Sequence, residues 1–135
     1  MTTDGGHPGR YVVLHHTGIA KPHFDFMLEV ESGKPLKTWQ LPGWPLDRFV
    51  YDAVALDAHR NEYLNYEGPV SRDRGTVRRV EGGNCTIRSL AGVSYTLTLA
   101  TGVELWLFRD TRKGMDNKAR RAWKASAVNV RPRQC

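Results

Sequence analysis

Hydrophobic and polar residues alternate over short stretches along most of the chain, as they do in β-strands. The clearest case is the segment 24–30, where the even-numbered residues are apolar and Asp25, Met27 and Glu29 face the other way. Further strands are predicted at residues 11–14, 36–41, 53–56, 60–66, 76–80, 85–90, 94–99 and 103–108. Glycines separate several of these segments, and such short, regularly punctuated strands are typical of a closed barrel or a sandwich.

One later segment has helical periodicity. Its less polar residues recur at i, i+4, i+7, i+8 and i+11, opposite a polar face of Lys118, Arg120, Arg121 and Lys124. They are Met115, Ala119, Ala122, Trp123 and Ser126. We expect a surface helix here that packs Trp123 onto the sheet.

The composition fits one folded domain. The chain has 135 residues, of which 40% are apolar and 25% are charged. We expect a monomeric domain over 1–135, with a mobile N-terminus (about 1–9) and a basic tail (about 127–135). No apolar run reaches the roughly 20 residues of a membrane helix, and the polar N-terminus does not resemble a secretory signal. Cys85 and Cys135 are too few for a disulfide framework, which favours the reducing cytoplasm.

The positive charge lies mostly near the C-terminus. The formal net charge is +6, and residues 109–135 contain nine Lys or Arg residues against two Asp. Such a segment could hold a phosphate backbone, or it could be a solvated helix followed by a disordered end. A smaller cluster lies at Arg72, Arg74, Arg78 and Arg79.

Histidines near the N-terminus form the first candidate site. His23 and Asp25 would project from one face of a strand, because side chains alternate with period two. His16 or His15, at the end of the preceding strand, can return beside them. Two imidazoles and a carboxylate suit Mn, Fe or Zn with coordination positions left open, although nearby histidines are more often ordinary surface or core residues.

The second candidate site follows residue 56. In a strand, His59 and Tyr63 would share a face. An imidazole titrates near neutrality and can donate or take a proton, and a tyrosine hydroxyl can donate a hydrogen bond to a phosphoryl oxygen. Arg60, or an arginine of the cluster over 72–79, could bind a phosphate in two-point contact. The alternative is that Tyr63 is an ordinary aromatic of the sheet and His59 is simply exposed.

These motifs together resemble the 3′-phosphoesterase domain of bacterial DNA ligase D, and most closely its short stand-alone relatives. A histidine, a His-aromatic-Asp strand, a Lys-x-Trp strand, a His-x-x-x-Tyr pair and an aromatic-Glu-Gly turn occur in the family's order. The matching text is VVLHHTGIAKPHFDFMLE, LKTWQLP and HRNEYLNYEGPVSRDRGTV, within roughly residues 11–80.

The resemblance implies a small closed β-barrel with a few flanking helices and a manganese-dependent site for 3′-end processing. It places the metal on His16, His23 and Asp25, with His15 as the alternative to His16, and the phosphate chemistry on His59 and Tyr63. Manganese, or another divalent metal such as Zn²⁺, is the implied cofactor, and the 3′ ends of DNA or RNA are the implied substrate.

Two departures from the family motivate a second hypothesis. Met27 and Gly43 stand where the ligase-fused domains carry an arginine and a lysine. Arg60 and Arg74 could replace these phosphate-binding cations. Otherwise the chain would be a non-catalytic module that binds nucleic-acid ends and recruits a ligase or polymerase of end repair. A metal enzyme acting on a small phosphorylated substrate is a third hypothesis, and it predicts a narrow, deep pocket.

Overall fold

The computed structural model describes residues 6–114, 116 and 118–129, and most of them lie in antiparallel β-structure. The described residues form nine strands: β1 His7–Thr17, β2 His23–Glu29, β3 Leu36–Leu41, β4 Tyr51–His59, β5 Gly68–Pro69, β6 Thr76–Leu90, β7 Ser94–Leu99, β8 Val103–Arg109 and β9 Ala122–Asn129. Three 3₁₀ helices connect some of them: η1 Asn61–Asn65, η2 Thr111–Lys113 and η3 Ala119–Arg121. The prediction of a mainly β protein is confirmed.

Eight of these strands close into a ring. The strand order is β1-β2-β3-β4-β9-β8-β7-β6, and β6 pairs again with β1, while β5 adds to β6 outside the ring. The contact between β1 and β6 runs from His7 to Thr17 with one register shift, between Val13 and Leu14. This pairing joins the two edges of the sheet, so that one face of the sheet points into the ring and the other points out.

The predicted break between residues 80 and 85 is wrong, because β6 continues through it. Gly82 and Gly83 pair with Val12 and Tyr11 of β1. A Cβ atom on Gly82 would lie 2.4 Å from the Nη2 atom of Arg79 and 3.0 Å from the carbonyl oxygen of Tyr11. Glycine therefore permits a close backbone approach inside a long strand here rather than a turn.

The predicted helix over 115–126 is also wrong. Ala119–Arg121 forms one 3₁₀ turn, and the chain then extends as β9, which pairs with both β4 and β8. Trp123, Ala125 and Ala127 point inward at a period of two. Small and aromatic residues at these positions fit both periodicities, and the pairing partners on either side decide the outcome in favour of a strand. Met115 lies outside the described residues.

The predicted strand over 60–66 is a 3₁₀ helix instead. β4 ends at His59, whose partner Leu36 is the first residue of β3, so no strand continues beside the next residues. The chain folds over the outside of the ring, and Leu64 is buried there. Burial of this side chain outweighs the alternating pattern that suggested a strand.

Two hydrophobic clusters lie on opposite faces of the sheet. The larger one takes side chains from all eight strands of the ring and therefore fills its interior, with Phe26 and Leu28 as the contributions of β2. The smaller one lies outside and contains Val12, Leu14, Met27, Leu36, Leu64 and Val77. Strand β2 is thus buried on both faces, with the candidate site beside the outer cluster.

Both predicted terminal segments contain strand residues. Residues 7–9 belong to β1 and residues 127–129 belong to β9, so the prediction of a mobile segment over 1–9 and a tail from 127 was too broad. Residues 1–5 and 130–135 lie outside the described residues. Among the described residues, no helix is long and apolar enough to cross a membrane.

Candidate functional site

The hairpin of β1 and β2 brings the first three predicted residues together. His16 pairs directly with His23, and Leu14 pairs with Asp25. Because the interior of the ring takes Val13 and Phe26, the alternating side chains of His16, His23 and Asp25 point outward. The Gly18–Pro22 connection returns the chain so that the end of β1 and the start of β2 present these groups side by side.

The donor atoms of these three residues are close enough to share one cation. One ligand atom from each of His16, His23 and Asp25 lies within 4.8 Å of the others. His16 Nδ1 is 3.7 Å from Asp25 Oδ2, and His23 Nε2 is 3.2 Å from Asp25 Oδ1. No other group of three such residues meets this criterion in the described part of the chain.

Backbone carbonyls determine which histidine nitrogens are available. His16 Nε2 donates to the carbonyl of Arg74 at 2.6 Å, and His23 Nδ1 donates to the carbonyl of Lys21 at 3.0 Å. A carbonyl oxygen can only accept, so in the neutral rings the lone pairs fall on His16 Nδ1 and His23 Nε2. These are the two atoms that face Asp25, and such outer hydrogen bonds orient the histidine ligands of metal sites.

The carboxylate of Asp25 is buried, and one of its oxygen atoms has no hydrogen-bond donor among the described residues. The residue is 4% exposed, and among the described residues its Oδ1 atom has no hydrogen-bond partner. His23 Nε2 lies 3.2 Å away, and in the neutral ring this nitrogen carries a lone pair and cannot donate. Burial raises the pKa of Asp25, and the neighbouring His23, His16 and His59 oppose that rise. A buried carboxylate oxygen that faces two imidazole lone pairs fits a bound cation.

His15, the alternative ligand, points elsewhere. Its ring stacks on Phe24 with centroids 4.3 Å apart and planes 6° from parallel. The structure therefore places His16, not His15, beside His23 and Asp25. The strand register produces this choice, since adjacent residues of β1 face opposite sides of the sheet.

The second predicted pair lies in the same cavity as the first site. His59 ends β4 and Tyr63 lies in η1, and their rings meet edge to face with centroids 5.8 Å apart. The cavity has a volume of about 910 Å³ and opens to solvent. It is lined by His16, His23, Asp25, His59 and Tyr63, together with both predicted phosphate-binding residues, Arg60 and Arg74.

His59 has the same hydrogen-bond arrangement as the candidate ligands. Its Nδ1 atom donates to the carbonyl of Asp57 at 2.9 Å, which leaves Nε2 as the free nitrogen. His59 lines the same cavity as Asp25. The neutral ring can therefore accept a proton at Nε2, and the protonated ring can donate one.

Four arginines line the cavity, of which the sequence had named only Arg60 and Arg74 individually as phosphate-binding candidates. Arg60 is exposed and lies 3.6 Å from Glu62, and Arg74 bonds to Ser71 through its Nε and Nη2 atoms. Arg72 and Arg121 are the additions. Arg72 belongs to the cluster already noted around residue 74, but only the pairing of β9 with β4 could have located Arg121.

The two departures from the family pattern have different structural consequences. Met27 is 1% exposed, lines the cavity and belongs to the outer hydrophobic cluster. Gly43 does not line the cavity, and a Cβ atom there would meet no described atom within 4 Å. Only the methionine therefore changes the chemistry beside Asp25.

The donor set of the cluster suits a divalent transition metal. Two imidazole nitrogens and one carboxylate supply three protein ligands, a set that leaves coordination positions for water or substrate. The free lone pairs on both histidines and the unpartnered oxygen of Asp25 fit such an ion.

No protein-family model matches this chain, and neither does any curated protein. The resemblance to the ligase D phosphoesterase domain accordingly stays a prediction from the quoted motifs.

Proposed function

We propose that this protein is a divalent-metal-dependent phosphoesterase that processes the 3′ ends of DNA or RNA in end repair, removing 3′-phosphates or 3′-terminal ribonucleotides. The observation that supports the proposal is that the predicted site residues meet in one cavity. The five residues with assigned roles come from β1, β2, β4 and η1, and all of them line one cavity. Their order along the chain does not by itself require such a meeting.

His16 Nδ1, His23 Nε2 and the carboxylate of Asp25 would hold the metal, with Mn²⁺ as the proposed ion and Zn²⁺ as the alternative. When bound, a divalent cation supplies Lewis-acid polarisation of a phosphoryl oxygen and lowers the pKa of a bound water. The carbonyls of Arg74 and Lys21 keep both imidazoles in the tautomer and orientation that this requires.

His59 and Tyr63 act on the phosphate ester in this proposal. Protonated His59 donates from Nε2 to the departing 3′-oxygen, while its Nδ1–H remains bonded to the carbonyl of Asp57. The Tyr63 hydroxyl donates to a phosphoryl oxygen and orients the group. Arg60 and Arg74 supply the positive charge that the substrate phosphate needs.

The assay for this function is phosphate release from a 3′-phosphorylated primer–template in the presence of Mn²⁺. We expect release by the wild-type protein and a loss of it in His23→Ala, because that variant removes one ligand without touching His59 or Tyr63. Absence of release above that of His23→Ala, over several divalent metals and with both DNA and RNA ends, contradicts the proposal.

The buried Met27 favours a second candidate function, a non-catalytic module that binds nucleic-acid ends. An apolar side chain lies in the cavity where the family carries a cation. Such a module binds ends with a steep salt dependence and is indifferent to His59→Ala and to a chelator. The volume and openness of the cavity argue against the third hypothesis, a narrow pocket for a small substrate.

We also propose a barrel fold, a cellular location and a downstream partner for this protein. The ring of eight strands corresponds to the small closed barrel of the family. The protein acts in the cytoplasm as a monomer. A ligase or polymerase of end repair uses the processed end.

A further inference from the structure

Arg121 connects the basic C-terminal segment to the cavity. It is the last residue of η3, and the pairing of β9 with β4 brings it across to the end of β4. Its Nη1 atom donates to the carbonyl of Ala55 at 2.9 Å, and its Nη2 atom donates to Asp57 Oδ1 at 2.8 Å. These two bonds fix the guanidinium, although 47% of its side chain is exposed.

A second cavity continues from the first at this arginine. It has a volume of about 420 Å³ and is lined by Ala55, Leu56, Asp57, Arg120 and Arg121. Leu56, Asp57 and Arg121 also line the first cavity, so the two share a wall. The three candidate metal ligands line only the first cavity, so a group bound in the second would not contact them.

The chemistry of this wall suits a phosphate. A guanidinium has five N–H donors in a planar fork, and the two bonds to β4 leave donors of Arg121 open to solvent. Because the fork is already fixed, little side-chain entropy is lost when an anion binds. We propose that Arg121 forms a second phosphate subsite, which holds the backbone phosphate preceding the one at His16, His23 and Asp25.

The inference rests on the proposed function and narrows its substrate. A ligand that uses both cavities carries at least two phosphates, so the protein prefers a polynucleotide end to a nucleoside 3′-monophosphate. Asp57 is 91% exposed, and its negative charge repels an incoming phosphate. The carboxylate therefore reduces the affinity that Arg121 gives to the subsite.

Other basic residues of the C-terminal segment do not have this position. Arg112 bonds to Asp110, and Lys124 bonds to Asp52 and lies 3.7 Å from Asp110. Neither residue lines either cavity. Among the described basic residues of this segment, Arg121 is therefore the one that lines both cavities.

The test uses fluorescence anisotropy of the full-length protein with a 5′-labelled, 3′-phosphorylated DNA strand of about ten nucleotides, a length within the usual range of single-strand sites. No divalent metal is added, so turnover does not enter the measurement. Thymidine 3′-monophosphate, measured as a competitor, probes the first cavity alone. The variants are Arg121→Gln, Asp57→Asn and Arg78→Gln, the last an exposed arginine that lines neither cavity.

We expect Arg121→Gln to bind the strand about tenfold more weakly, as is typical for the loss of a hydrogen-bonded charge, and to reduce the salt slope by about 0.7. Its affinity for thymidine 3′-monophosphate stays unchanged, and so does the strand affinity of Arg78→Gln. Asp57→Asn removes the same ion pair but keeps the cation, so it binds the strand as tightly as the wild type or more tightly.

Several results overturn the inference. One is an Arg121→Gln protein that binds the strand as the wild type does, and another is an equal loss in Arg78→Gln. An equal loss in Asp57→Asn would mean that the ion pair matters only for folding. An equal loss for thymidine 3′-monophosphate would place Arg121 at the first phosphate. Failure of the proposed function is a separate result, because it appears as absent phosphate release by the wild type.

Discussion

His16 Nε2 lies 2.6 Å from the carbonyl oxygen of Arg74, so a candidate metal ligand is oriented by the loop that carries two of the cavity arginines. The loop is held in turn by a hydrogen bond from Val70 N–H to the Gly75 carbonyl. Two arginines that line the cavity and a candidate metal ligand therefore depend on the same loop, so a change in this loop should affect both.

Gly75→Ala tests this support. Gly75 has φ +82°, and a Cβ atom there would lie 2.1 Å from the carbonyl oxygen of Thr17, so the loop must move away from β1. We expect Mn²⁺ binding to weaken by about 10- to 100-fold, the usual cost of losing an outer hydrogen bond to a ligand. Electron paramagnetic resonance of free Mn²⁺ measures the dissociation constant.

Gly33→Ala is the matched control for that variant. Gly33 has φ +79°, but a Cβ atom there would meet no described atom within 4 Å. Both variants carry the same backbone strain, and only Gly75→Ala carries the clash. Equal losses of Mn²⁺ affinity in the two proteins would show that the loop does not position His16.

Removal of the His59 imidazole should affect turnover more than metal binding. We expect His59→Ala to lower kcat by about 10²- to 10⁴-fold, the range for loss of a general acid, with unchanged Mn²⁺ affinity. Tyr63→Phe should lower kcat by about tenfold, because the variant lacks the one hydrogen bond that the hydroxyl is proposed to donate to the phosphate. Steady-state phosphate release measures both effects.

Tyr66→Phe is the control for Tyr63→Phe. The Tyr66 ring contacts Tyr63 at a centroid distance of 5.5 Å, but its hydroxyl donates to the carbonyl of Pro69 and it does not line the cavity. Turnover should survive this change. A loss as large as that of Tyr63→Phe would indicate that the aromatic packing of η1, rather than the Tyr63 hydroxyl, is what matters.

Glu29 should make stability depend on acid pH. Hydrogen bonds from Arg10, and further ones from Asn61 and the Gly33 N–H, lower the pKa of Glu29 from 4.5 to about 2 despite its burial. A lowered folded-state pKa gives stability that is complete above the unfolded value and is lost as the pH falls toward 2. The loss should be at most about 3 kcal/mol.

Urea unfolding of the wild type and Glu29→Gln between pH 6 and pH 2 measures that contribution. The amide cannot ionise, so the variant should be less stable at pH 6 and show a flatter dependence below about pH 4.5, the usual range for an unperturbed glutamate. Parallel curves for the two proteins would mean that the Arg10 pair contributes nothing to folding.

Substitutions to leucine in β9 distinguish a strand from the helix that the sequence predicted. Ala125 is fully buried inside the ring, so Ala125→Leu should cost about 1–3 kcal/mol through overpacking. Ala122 is only partly buried on the alternate face of β9, so Ala122→Leu should be tolerated. Thermal unfolding checks this, and a helix would give the opposite order because Ala122 lies on its apolar stripe.

The sequence predicted the strands that carry the candidate metal ligands because their signal is local. Alternation over 24–30 placed His23 and Asp25 on one face, and the structure has them there. The sequence predicted His59 and Tyr63 on one face of a continuing strand, whereas η1 carries the tyrosine and brings the two rings into contact. In a continuing strand the two residues would share a face but lie about 13 Å apart, so the contact between their rings depends on η1.

The remaining features depend on contacts between distant segments. The pattern around Trp123 fits a helix as well as a strand. The segment forms a strand because it pairs with β4 on one side and β8 on the other. The pairing of β9 with β4 also places Arg121 in the wall of the cavity. The choice of His16 over His15 needed the register of β1 against β2, which residue types alone do not specify.

The most direct test of the central claim compares His16→Ala with His15→Gln in the Mn²⁺-dependent release of phosphate from a 3′-phosphorylated primer–template. His16 contributes Nδ1 to the cluster, whereas His15 stacks on Phe24 outside it. The account predicts that His16→Ala loses both Mn²⁺ binding and turnover while His15→Gln, confirmed as folded, keeps both. Release that is independent of Mn²⁺, or equal in the two variants, would contradict it.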